Sequence, residues 1–204
     1  MTNPSWVSVR MERGTVLLFV AAGLVMGFAL ALPAIRAAID IAGGSATISL
    51  LTEAEVPRTS GADGATLASA TFDSARIVAE GLSGSTRALL ALGTAFGALT
   101  TLLTVSAVVL FFLLLMWRRP FHRALITATQ VAGAALLIGG ILSAGLGGLG
   151  RMMAADELNP AAGGVFVIGF SFDPAWMLVG LGVLALSVVF TYGTRLQRDT
   201  EGLV

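Results

Sequence analysis

Four long stretches without a single Asp, Glu, Lys or Arg constrain this chain more than any other feature of its sequence. They cover residues 15–35, 88–116, 124–150 and 174–194, nearly half of the 204 residues. A helix needs about 20 apolar residues to cross a hydrocarbon core that is roughly 30 Å thick. The sequence therefore predicts an all-α integral membrane protein. Its fold is a four-helix transmembrane bundle with these four spans, in a single membrane domain that covers residues 1–204.

Arginines in the short connections predict the orientation of the spans. Arg10 and Arg13 precede the first span, Arg195 and Arg198 follow the fourth, and three arginines lie in the connection 117–123. Short Arg-rich segments stay in the cytoplasm. Both termini, the loop 117–123 and the tail 195–204 are therefore predicted to be cytoplasmic, in the plasma membrane. The loops 36–87 and 151–173, which hold most of the acidic residues, are predicted to be extracellular. Three arginines are predicted to fix this topology and to contact lipid headgroups: Arg118, Arg119 and Arg123.

The first span has two interpretations. It follows two arginines, and Ala29-Leu30-Ala31 resembles the small-residue cleavage site of a signal peptide. However, its apolar run is longer than the roughly 7–15 residues of a signal-peptide core. We therefore expect a retained membrane anchor.

The two extracellular loops contain candidate β-strands. Residues 46–50 alternate apolar and polar side chains, residues 66–72 do so more weakly, and residues 165–172 are rich in β-branched and aromatic side chains. The last segment stops at Asp173-Pro174, a favourable N-cap and first-turn pair. We expect a small extracellular β-sheet that joins strands from both loops. The alternative is that residues 165–172 begin the fourth span. Ser83 or Ser85 is the predicted N-cap of the second helix.

The chain offers few groups that could carry chemistry. No span holds a charge, there is no Cys, the only His is His122, and twelve basic residues balance twelve acidic ones. Intramembrane charges usually mark ion or proton pathways, and neutral net charge does not attract a polyanion. The acidic pairs Glu53/Glu55 and Asp156/Glu157 fit a solvated loop surface. We therefore predict no catalytic residue, no cofactor, no metal site and no direct contact with nucleic acid, and the protein is not expected to be an enzyme.

Small residues at a spacing of four recur in three of the spans. Such rows let helices approach closely in lipid. They serve either packing within one bundle, which we favour, or docking of another membrane protein. The predicted helix-packing residues are Gly23, Gly27, Gly93, Gly97, Gly139, Gly140, Ser143, Ala144, Gly147 and Gly148.

The polar tail 192–204, Tyr-Gly-Thr-Arg-Leu-Gln-Arg-Asp-Thr-Glu-Gly-Leu-Val, and the inner-loop tripeptide Arg119-Pro120-Phe121 resemble those of a bacterial membrane family, domain of unknown function twenty-nine seventy-five. The four spans and the long first extracellular loop fit the layout of that family. The resemblance implies a plasma-membrane protein, in some members with a neighbouring helix-turn-helix regulator. It carries over no catalytic or ligand residues.

Three functions compete at this point. We favour a non-enzymatic membrane protein that acts through protein–protein interaction, as an accessory subunit of a membrane complex or a signalling partner. Its expected partners are the lipid bilayer and another membrane protein or a cytoplasmic regulator. The alternative is a small-solute transporter or channel, which would have to use backbone carbonyls at a broken helix. The third is a lipid-acting enzyme built around His122 or an acidic pair.

Overall fold

The computed structural model describes residues 6–54, 71–117 and 123–201, without the side chains of residues 6–13 and 194–201. Within these ranges the chain forms five α-helices, one π-helical turn and two β-strands. In chain order they are α1 (Trp6–Gly43), β1 (Ser45–Leu51), β2 (Ser74–Glu80), α2 (Gly84–Met116), α3 (Arg123–Ala134), the π-helical turn (Ala135–Gly139), α4 (Gly140–Ala162) and α5 (Ala175–Glu201). Because α3, the π-helical turn and α4 follow one another without a break, they form one continuous helix.

In the described part of the chain, four helices are long and apolar enough to cross a membrane, which confirms the predicted number. They cover Gly14–Gly43, Gly84–Met116, Arg123–Ala162 and Ala175–Gly193. The first and third run well beyond the predicted ends of their spans at residues 35 and 150. The end of α4, which carries Arg151, Asp156 and Glu157, therefore lies outside the charge-free stretch, and much of the predicted second extracellular loop is helical.

The two strands pair antiparallel, with Ser45 opposite Glu80 and Leu51 opposite Ser74. The predicted strand at 46–50 is confirmed by β1. The expectation that the sheet takes a strand from each loop is wrong, because β2 comes from the first loop. Residues 165–172 form neither a regular strand nor the start of a helix: Phe166 makes one isolated bridge to Thr52. Of the weaker candidate at 66–72, residues 66–70 lie outside the described part of the chain.

The chain divides into two compact units. The sheet unit comprises Ile35–Ala95 and Leu142–Phe172, and the helical unit comprises Met1–Ala34, Phe96–Ile141 and Asp173–Val204. In the sheet unit, alternate side chains of β1 (Ala46, Ile48 and Leu50) enter a core because successive strand residues face opposite sides of a sheet. The core is completed by Leu82, in the link between β2 and α2, and by side chains of α1, α2 and α4: Ile41, Leu90, Ala154 and Ala155.

Small residues bring the helices of the helical unit together. A Cβ added at Gly133 of α3 would lie 2.7 Å from Leu184 of α5, and one at Gly180 of α5 would lie 3.0 Å from Leu137. The ring of Phe19 on α1 stacks on Phe112 of α2 with centroids 5.0 Å apart. Close packing of this kind, with small residues at the contact, is typical of helices that associate in lipid.

Candidate functional site

The carboxylate of Glu157 connects α4 to the start of α2. Its Oε2 accepts a hydrogen bond from the backbone N–H of Ser83 at 2.9 Å. Its Oε1 accepts one from the Ser83 hydroxyl at 2.7 Å and one from the Thr86 hydroxyl at 2.5 Å. Ser83 is also the N-cap of α2, because its Oγ accepts the backbone N–H of Thr86 at 3.3 Å. The structure thus selects Ser83 from the two predicted cap residues.

The position of Glu157 favours its charged form. Hydrogen bonds from the Thr86 hydroxyl, the Ser83 backbone and the Ser83 hydroxyl hold the pKa of this exposed carboxylate below its ordinary value, although slight desolvation opposes them. An anion at a helix N-terminus is also stabilised by the helix dipole. The interpretation of Glu157 as part of a solvated acidic pair missed these bonds. Residues 151–158 are mostly good helix formers. This is the sequence signal that the helix continues past the charge-free stretch, which ends at residue 150, and includes Glu157.

The outward face of the sheet presents a row of exposed side chains. Thr47 lies opposite Val78, and Ser49 lies opposite Arg76. The side chain of Val78 is 70% exposed. Among the described strands β2 pairs only with β1, so its second edge carries backbone groups that no described strand uses.

The segment 165–172 is fixed to the sheet at one end and to α4 at the other. The hydroxyl of Thr52 donates to the carbonyl of Val165 at 2.8 Å, and the N–H of Val167 donates to Leu51 at 2.9 Å. Further along, the ring of Phe170 packs on Gly148 of α4, where an added Cβ would lie 2.7 Å from the ring. The chain then enters α5, where Asp173 Oδ1 accepts the N–H of Ala175 at 2.9 Å as the predicted N-cap.

Asn159 supports the same segment from α4. Its Oδ1 accepts the N–H of Phe166 at 3.0 Å, and its Nδ2 donates to the carbonyl of Phe166 at 2.9 Å. One side chain thus satisfies both backbone groups of Phe166 on the side away from the sheet. The loop needs this bond because a partly buried backbone group without a partner costs free energy.

In the sheet unit, α2 and α4 meet backbone to backbone at Gly93 and Gly147. A Cβ added at Gly93 would lie 2.5 Å from the nitrogen of Gly147 and 2.6 Å from its Cα. The Ser143 hydroxyl donates to the carbonyl of Gly93 at 2.8 Å. Three of the predicted helix-packing residues therefore lie in one contact within the chain.

In the helical unit, predicted small residues also lie against neighbouring helices. A Cβ at Gly27 would lie 2.6 Å from Val105, and one at Gly23 would lie 3.3 Å from Val109. Added Cβ atoms at Gly139 and Gly140 would collide with Thr100 Oγ1 and with the indole of Trp176, respectively. The carbonyl of Gly97 accepts the Thr101 hydroxyl, and Ala144, in the sheet unit, is partly buried. A docking role for any of these residues stays a prediction.

The π-helical turn could not be anticipated from the sequence. The hydroxyl of Thr100 on α2 donates to the carbonyl of Ala135, the first residue of the turn, at 3.3 Å. Apart from Ser143, several other hydroxyls in the predicted spans bond back to their own helices. For example, Thr104 donates to Thr100 at 2.8 Å and Thr129 donates to Leu125 at 2.7 Å. Back-bonding of this kind is the usual role of hydroxyls in an apolar helix.

One of the three arginines predicted to contact headgroups lies within the described residues. Arg123 is the first residue of α3 and is exposed. Arg118, Arg119 and His122 lie outside the described residues. Within the part of the chain that the structure describes, no group of three or more His, Cys, Asp or Glu residues could hold a metal ion.

These features define a class of protein. It is mostly helical, with four helices long and apolar enough to cross a membrane and a small two-stranded sheet. No protein-family model, no curated protein and no solved structure matches the chain.

Proposed function

We propose that this chain is a non-enzymatic, multi-pass protein of the plasma membrane that works by binding another protein. In this proposal the sheet unit lies outside the cell and the termini lie in the cytoplasm, as the arginine distribution indicates. The protein acts as an accessory subunit of a membrane complex or as a signalling partner.

The observation that carries this proposal is the outward face of the sheet. Its inner face is occupied by the core, whereas the outer face presents Val78, Thr47 and Ser49 together with the charged Arg76. An extended segment of a partner can add to the second edge of β2 through backbone hydrogen bonds, while Val78 supplies an apolar contact. Charged residues on an edge strand reduce indiscriminate pairing, so the charges of Arg76 and Glu80 favour a selected partner.

Two contacts that hold the sheet unit together support the same function. The Glu157 hydrogen bonds and the contact between Gly93 and Gly147 fix the sheet's supporting helices. A rigid surface loses little conformational entropy when it binds. The resemblance of the tail to a family with a neighbouring regulator adds a cytoplasmic partner to this proposal.

The test is native-gel migration after extraction in a mild detergent. We expect a species larger than the 20.9 kDa chain, and we expect Val78→Asp to dissociate it. Ser74→Asp is the matched control, because Ser74 is also exposed on β2 but lies at its end. The proposal fails if the chain migrates alone under every mild condition, or if both variants keep the complex.

A small-solute transporter or channel is the second candidate, and one observation favours it. The π-helical turn interrupts a predicted span, and π-turns are frequent at functional sites. Thr100→Val removes the hydroxyl that bonds the turn, whereas Thr104→Val removes one that bonds only its own helix. A transporter predicts uptake of a small neutral solute into proteoliposomes that changes in the first variant and not in the second. The absence of protein-dependent uptake across a solute panel would contradict it.

A further inference from the structure

We propose that the segment 165–172 is an interfacial anchor that inserts its apolar side chains into the extracellular leaflet, at the boundary between acyl chains and headgroups. This inference rests on the proposed membrane location and adds a lipid-binding surface to it. It concerns a different surface from the outward face of the sheet.

Composition and exposure give the first argument. Residues 158–172 contain no charged side chain. Ile168 is 53% exposed and Phe170 is 39% exposed, and Val165 and Phe172 are also exposed. Four exposed large apolar side chains within eight residues are unfavourable in water, and contiguous exposed apolar patches usually mark an interaction surface.

The contact with α4 sets the depth of the segment. Phe170 packs on Gly148, which lies two residues before the end of the charge-free stretch 124–150. At 1.5 Å per residue that stretch is about 40 Å long, about 10 Å longer than the hydrocarbon core. Its last turn therefore lies where acyl chains give way to headgroups, and Phe170 lies at the same level. Aromatic side chains are enriched at that depth.

The contact with the sheet sets the direction of the segment. Its first residues are bonded to Thr52 and Leu51, next to the sheet, whereas Phe170 reaches α4 at Gly148. The segment thus descends from the sheet to the membrane boundary within one compact unit. Residue 168 is consequently expected to lie deeper in the bilayer than residue 165.

Spin labelling tests this placement directly, because the chain has no native cysteine. The variants Ile168→Cys and Val165→Cys carry labels in the segment. Val78→Cys is the aqueous control and Ile138→Cys is the bilayer control, since both native side chains are well exposed. The full chain is placed in vesicles of phosphatidylcholine and phosphatidylglycerol, and collisions of each label with oxygen and with a water-soluble nickel chelate are measured.

We expect the oxygen-to-chelate ratio at residue 168 to shift towards the value at residue 138, with residue 165 intermediate. A ratio at 168 equal to that at 78, with 138 lipid-like, overturns the anchor and leaves the membrane location standing. A label at 168 shielded from both reagents also overturns it, because protein then covers the segment. A water-like ratio at 138 overturns the membrane location and the anchor together.

Discussion

At the residue scale, the carboxylate of Glu157 accepts hydrogen bonds at the start of α2, where helix geometry leaves backbone N–H groups without a partner. The first N–H groups of a helix have no partner within the helix. At the start of α2 the Ser83 hydroxyl accepts the N–H of Thr86, and Glu157 accepts the N–H of Ser83 as well as both hydroxyls. The Thr86 side chain is fully buried, so its hydroxyl has no access to water as a substitute.

Removing this carboxylate is expected to destabilise the sheet unit. In Glu157→Ala the exposed Ser83 N–H and the buried Thr86 hydroxyl lose their acceptor, and an unsatisfied buried donor such as the Thr86 hydroxyl costs about 1–3 kcal/mol. Glu157→Gln keeps one acceptor oxygen and should lose less. The measurement is the thermal unfolding midpoint in detergent. Asp156→Ala, an exposed neighbour, is the control and should leave the midpoint unchanged.

The same contact predicts a pH dependence. The hydrogen bonds from Thr86 and Ser83 lower the folded-state pKa of Glu157, so the stability it contributes is complete above the ordinary glutamate pKa of about 4.3. That contribution is lost as the pH falls through the lower folded-state value. The midpoint difference between the wild type and Glu157→Gln should therefore be constant near neutral pH and shrink in acid. A difference that grows in acid would contradict this assignment.

At the element scale, the sequence predicts the helices better than the strands. The long charge-free stretches predict the ends of the helices to within a few turns. This is because the apolar residues that make a helix long enough to cross a membrane are all local in the sequence. The strand β2 was missed although Ala75, Ile77 and Ala79 alternate inward, since alanine is a weak strand former and the pairing partner is distant in the chain. Residues 165–172 have strong strand composition, yet only Phe166 finds a bridge.

The pairing of α2 with α4 predicts opposite effects for two similar substitutions. In Gly93→Ala the new methyl group would meet the backbone of Gly147, which cannot turn aside, and overpacking typically costs about 1–3 kcal/mol. In Gly145→Ala the methyl group meets nothing within 4 Å, and replacing Gly by Ala within a helix stabilises it by about 0.5–1 kcal/mol.

Thermal unfolding of both variants, followed by helical circular dichroism, checks this pair. The midpoint should fall for Gly93→Ala and stay or rise for Gly145→Ala. Equal changes of the midpoint in the two variants would show that the close approach of α2 and α4 does not contribute to the stability of the folded protein.

At the scale of the whole molecule, hydropathy predicts the number of long apolar helices and the arginines predict their direction. Neither signal could reveal the bonds of Glu157 or the π-helical turn, because both depend on which side chains tertiary packing brings together. The small-residue spacing gave a set of candidate contacts, but it could not pair Gly93 with Gly147 or Gly139 with Thr100.

The proposed orientation makes a labelling prediction for intact cells. With no native cysteine as background, Val78→Cys should react with a membrane-impermeant maleimide from outside. Leu203→Cys, in the tail, should react only after the cells are permeabilised. The reverse pattern would contradict the orientation, and reaction of both in intact cells would contradict the three crossings predicted between residues 78 and 203.

The Glu157 contact also bears on the order in which parts of the sheet unit can fold during translation. Its two sides are 74 residues apart in sequence, and the chain is made from the N-terminus onwards. The strands β1 and β2 and the start of α2 are therefore translated before the carboxylate that accepts the Ser83 and Thr86 hydrogen bonds. They are also translated before Ala154 and Ala155, which are almost fully buried in the core of the sheet unit. Until α4 has been synthesised, the Ser83 N–H and the hydroxyls of Ser83 and Thr86 have no carboxylate to bond. Maturation of the sheet unit is thus a late event that waits for synthesis of the third long apolar helix.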